Sequence, residues 1–194
     1  MNLMTLMEGR DAPLYHTTSI NGAAAILKAD RLSPATKHVI PNMYDGEQIK
    51  GVSLTRNYNF SREWGTQRFG MNYCVFEIDQ AKLSCNYKIV PIDFWYNSLY
   101  DEEFYDGNYD GNKRRQGIYA EAEEFVIGAI EPLDILLKTI IIPKNVESYM
   151  IARREQMEEK RINRIKINRS EYDFVMTIFP NFEKLLSNPK AVVK

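Results

Sequence analysis

A chain of 194 residues with 44% hydrophobic and 12% aromatic content is long enough for one sizeable core and short for two. A formal net charge of −1 and a pI of about 6.2 exclude a global basic field that would draw it to nucleic acid or a membrane surface. Cys74 and Cys85 form no C-x-x-C pair and no disulfide framework, and two histidines cannot build a His-based metal cage, so the sequence points to a reducing cytoplasm without zinc or haem.

The N-terminal stretch MNLMTLMEGRDAPLYH has neither a basic n-region nor a long apolar run, so no signal peptide or membrane span is expected there. PLYHTT then predicts a short strand, and SINGAAAILKADRLSP a helix capped by Ser19 and stopped before Pro34. GVSLT alternates Val52 and Leu54 with Ser53 and Thr55, as a half-buried strand does. NYNFSREWGTQRFGMN shows no clear period and reads as a functional loop with one helical turn. YCVFEID predicts a strand, and QAKLSCNYKIVPIDF a short helix or turn followed by another. After a long polar and aromatic loop, EEFVIGAIEPL and LKTIIIP predict two strands joined through Pro132 as a hairpin or β-arch, where the sheet is expected to end. Beyond Pro143, NVESYMIARREQMEEKRINRIK and SEYDFVMTIFPNFEKLL predict amphipathic helices.

Three short stretches carry candidate chemistry, and each also has a plain reading. His16 in LYHTT is either a packed, hydrogen-bonded strand histidine or a ligand contact, whereas His38 has no comparable company and reads as a surface residue. Ser53 and Thr55 in SLTRN fit ordinary β-propensity, but Arg56 beside two hydroxyls makes a compact anion or ribose site. In YAEAEEFVIG, Glu121 and Glu123 share one face of an extended strand and Glu124 takes the other. Those acids are either a solvated strand entrance salt-bridged to Arg114 and Arg115, or a pocket awaiting positive charge.

Two other stretches are set aside. DGNYDGNKRRQG opens like a calcium loop, with Asp106, Asn108, Asp110 and Gly111 in place, but Gly117 stands where the closing glutamate belongs. FWYNSLYDEEFY is aromatic enough to stack bases, yet its acids repel phosphates.

LYHTT, SLTRN and EAEEFVIG, in this order, resemble the three motifs of the ADP-ribosyltransferase fold over roughly residues 13 to 143. The resemblance implies an α+β fold with two packed, mostly antiparallel sheets forming an NAD cleft. The expected organisation is a domain over 1–143 and a helical C-terminal extension over 144–194 packed on or beside it. Residue by residue, His16 matches the contact to the nicotinamide-side ribose, and the backbone of Tyr15 to Thr17 would bind the nicotinamide amide. Ser53 and Thr55 match the strand that braces the site; Glu123 matches the catalytic glutamate and Glu121 the residue that orients the acceptor, with Glu124 one register away. Arg56, Arg62 or Arg68 could hold the pyrophosphate, and Tyr58 or Phe69 could stack on the nicotinamide ring.

The implied activity is NAD-dependent mono-ADP-ribosyl transfer, with NAD as co-substrate and no metal. The expected acceptor is a macromolecule, protein rather than nucleic acid, with no membrane partner; the compact size suggests a phage or bacterial effector. The competing expectations are an inactive binding module of the same fold, acting through the loop at 97–118 and the C-terminal helices, and an RNA 2′-phosphotransferase-like enzyme.

Overall fold

The computed structural model describes residues 12–34, 39–41, 48–87, 89–92 and 123–194. His38, Arg114, Arg115, Glu121, the calcium-like stretch at 106–117 and the loop at 97–118 lie outside the described residues.

Strand β1 (Leu14–Ser19) runs straight into α1 (Ile20–Ala29). Ser19 is the N-cap, its Oγ accepting from the Gly22 N–H at 3.0 Å, and Asp30 ends the helix in a left-handed conformation with φ of 51°. Strands β2 (Val39–Pro41) and β3 (Gln48–Thr55) pair antiparallel. Helix α2 (Tyr58–Phe69) follows, capped by Asn57, and then β4 (Tyr73–Ile78), all six of whose residues are buried. Asp79 caps α3 (Gln80–Asn86), which leads to β5 (Ile89–Ile92). The remaining elements are β6 (Glu123–Ile127), α4 (Leu133–Leu136), β7 (Leu137–Ile142), α5 (Lys144–Ile162), α6 (Arg169–Asp173), a π-helical turn (Phe174–Ile178), α7 (Phe179–Leu186) and β8 (Ala191–Val193).

The fold is α+β. Among the described residues, the strands run in the order β5-β6-β3-β1-β4-β7-β8, with β2 also on β3, and every pairing but β7 with β8 is antiparallel. The path has two halves. One is built on β3 and β6, the other on β1, β4 and β7, and they meet edge to edge at one registered pair, Tyr15↔Thr55. Where two packed sheets were expected, the described strands form one 8-stranded sheet whose halves share that single pairing.

Helix α2 replaces the loop expected from the sequence. Its buried residues are Ser61 and Gly65, so the apolar stripe that announces a helix is missing. Small residues are needed because the helix lies close on the sheet: a Cβ on Gly65 would sit 2.5 Å from the Tyr73 ring and 2.8 Å from Thr17 Cγ2. The chain between β6 and β7 is an arch rather than a hairpin, since the two strands belong to opposite halves. It is tied down by the Leu32↔Ile130 bridge and by Asp30, whose carbonyl accepts from Leu133 N and whose Oδ1 accepts from Asp134 N.

The helices after β7 share the main core. Val146, Met150, Met157, Phe174, Phe182 and Leu185 belong to one buried cluster with Leu14, Phe76 and Ile140 of the sheet. Asn181 of α7 donates to Asn21 of α1 at 2.9 Å. The sheet also continues past its expected end, because β8 adds a parallel strand along β7.

Candidate active site

The site begins where the ladder opens. On its β4 side β1 is paired from Leu14↔Ile78 to Ser19↔Tyr73, whereas on its β3 side the described residues register only at Tyr15↔Thr55. Just past that pair the imidazole of His16 bridges the two strands, Nδ1 donating to the Ser53 carbonyl at 3.1 Å. A carbonyl can only accept, so Nδ1 carries the proton and, in the neutral ring, Nε2 is the acceptor nitrogen. Burial holds the His16 pKa below the ordinary histidine value; the bond to Ser53 opposes that shift without reversing it. At neutral pH His16 therefore offers a fixed, uncharged acceptor.

The three sequence motifs occupy neighbouring strands. Thr55 registers with Tyr15 on one side and with Glu123 on the other; Leu54 registers with Glu124, and Ser53 with Phe125. The β6-β3-β1 order thus brings the backbone positions of Glu123 and Glu124 next to the Ser-Leu-Thr strand and one strand away from Tyr15 and His16.

Helix α2 covers the neighbouring face. The Tyr15 and Tyr58 rings lie 5.4 Å apart at 51°, and the Arg62 guanidinium sits 5.9 Å from the Tyr58 ring centre. Burial raises both phenol pKa values; Glu77, which registers with Tyr15, adds to the shift at Tyr15. Thr17 Oγ1 donates to the Ser61 carbonyl at 3.0 Å, fastening β1 to α2. The hydroxyls of Ser53 and Ser61 are buried without a hydrogen-bond partner among the described residues.

The other candidate residues divide by place. Thr55, 6% exposed, uses its Oγ1 to accept from Asn57 N at 3.1 Å, bracing the turn into α2. Arg56 follows directly, and its Nη1 donates to Gln80 Oε1 at 2.6 Å. Arg68 lies in the last turn of α2, and Phe69 there packs against the core with its ring 5.5 Å from Trp64, edge to face. Sequence reasoning passed over Gln80, Ser61 and Gly65. No motif marked Gln80, which directly follows the Asp79 N-cap and a strand that is buried throughout.

Among the described residues no group of three or more His, Cys, Asp or Glu side chains is placed to hold a metal ion, and no helix is long and apolar enough to cross a membrane. No family model matches the sequence, and no curated protein matches it. A solved structure, Thermus sp. 2.9 DarT in complex with NAD+, is similar over 95% of this chain and 96% of that one, with a TM-score of 0.46 and 12% identity.

Proposed function

We propose that this chain is an NAD-dependent mono-ADP-ribosyltransferase of the ADP-ribosyltransferase fold, acting on a macromolecular acceptor. The observation that carries the reading is the adjacency of β1, β3 and β6, with the ladder open between β1 and β3 beyond Tyr15↔Thr55. Three sequence stretches far apart in the chain meet at one place, and an open ladder edge is where backbone amides and carbonyls can receive a carboxamide.

In the proposed reaction the bond between the nicotinamide nitrogen and the ribose anomeric carbon breaks, and the base leaves with the bonding pair. The ribose passes through oxocarbenium character, which nearby fixed negative charge stabilises. Glu123 supplies that charge, and Glu121 or Glu124 orients the acceptor. The acceptor atom then bonds to the anomeric carbon and gives up its proton to solvent. Neutral His16 holds a ribose hydroxyl through Nε2. Tyr58 stacks on the nicotinamide, and the open edge of β1 at Tyr15 to Thr17 reads its amide. The acceptor is a protein in this reading, and the setting is a phage or bacterial effector in the cytoplasm.

Incubation of the pure protein with NAD and a bacterial lysate tests the proposal through nicotinamide release and an ADP-ribose mass shift on an acceptor. Glu123→Ala lowers release about 100-fold, the effect of one preorganised charge-stabilising group. Release that is unchanged in Glu123→Ala, Glu121→Ala and Glu124→Ala chains refutes the site.

A further inference from the structure

We infer that Gln80 is a positioning residue that presents Arg56 to the pyrophosphate of the dinucleotide; this rests on the NAD reading above and goes past it by choosing among the arginines. Three arginines were open as pyrophosphate ligands, and their placements differ. Arg56 directly follows Thr55, the residue that registers with both Tyr15 and Glu123, so its backbone stands at the junction of the three motif strands. Arg62 is laid over the Tyr58 ring, and Arg68 is at the far end of α2.

One partner of Arg56, Gln80, has an unusual setting. Gln80 is the first residue of α3, directly after the Asp79 cap and the buried strand β4, and it is only 7% exposed. Its Oε1 accepts from Arg56 Nη1 at 2.6 Å, a short bond whose donor is charged. The two ends of this bond are unequal: the amide is held by the fold, whereas the arginine chain is exposed and long. The buried amide therefore fixes a rotamer-rich cation in one orientation before a ligand arrives, lowering the ordering cost of binding an anion.

The test is a double-mutant cycle on dissociation constants for NAD and for nicotinamide riboside, which has the base and ribose but no phosphate. Gln80→Met keeps the side-chain volume and removes the acceptor. It is expected to weaken NAD about tenfold, as for loss of one charge-assisted hydrogen bond, and to leave the riboside within about twofold. In an Arg56→Ala background the same substitution adds nothing further, because the residue it acts through is gone. Gln80→Asn, which keeps the amide but shortens its reach, gives the same loss and serves if Gln80→Met does not fold. Equal weakening of NAD and riboside, an unchanged NAD affinity, or an undiminished effect in the Arg56→Ala background overturns the inference while the NAD reading stands. A wild-type chain that binds neither ligand overturns both.

Discussion

The two edges of β1 obey opposite rules. Toward β4 the strand is paired along its whole length, and the residues it meets are among the least accessible in the molecule. Toward β3 it is paired at one position, after which the His16 imidazole reaches the Ser53 carbonyl of β3 and the Thr17 hydroxyl turns to the Ser61 carbonyl of α2. The closed edge is where burial of apolar area stabilises the fold. At the open edge the strand keeps polar groups within reach of a ligand, and its order depends on side-chain bonds of about 1 kcal/mol each. One short strand can thus anchor the core and border the candidate site, because its two edges are used separately.

Substitutions on the two edges should separate these roles. The largest loss belongs to the closed edge: Phe76→Ala, at a fully buried position registered with His16 and Ile140, lowers unfolding free energy by about 3–5 kcal/mol in urea titrations. Next comes the α2 contact. Gly65→Ala forces a methyl against Tyr73 and Thr17 and costs about 1–3 kcal/mol, read from the same titrations.

The third test is a pH profile of the open edge. Because the folded His16 pKa is depressed, its contribution is present above the unfolded histidine value of about 6.5 and is lost as pH falls through that value toward the folded one. Wild-type stability should therefore fall with acid by at most about 1.4 kcal/mol per pH unit more steeply than that of His16→Gln, and identical profiles would remove the claim that the ring is held neutral. The smallest change is Thr17→Val, which removes the bond to Ser61 and costs about 1 kcal/mol with little shift in the urea slope.

What the sequence could show followed from what kind of signal each element uses. Ser19 as a cap and the strand character of SLT are local, and both appear as read; the half-buried alternation does not, since Thr55 is buried along with Val52 and Leu54. The adjacency of the histidine strand, the hydroxyl strand and the glutamate strand was legible only through family resemblance, because strand order is a non-local property that period-2 patterning does not encode. Helix α2 was illegible because its packing relies on Ser61 and Gly65, residues that carry no apolar signal. β8 was hidden for a different reason: three residues are too few for any period, and their pairing with β7 becomes defined only when the intervening helices fold back. Gln80 acts through Arg56, distant in sequence, and single-chain patterning has no term for such a bond.

β8 also bears on how the protein behaves at high concentration. It lies along Ile140, Ile141 and Ile142, three consecutive aliphatic residues on β7. Stripped of that short cover, β7 would offer a bare run of amides and carbonyls beside sticky side chains, a template for intermolecular strand addition. Removing 191–193 is therefore expected to show first as turbidity and only later as lost folding.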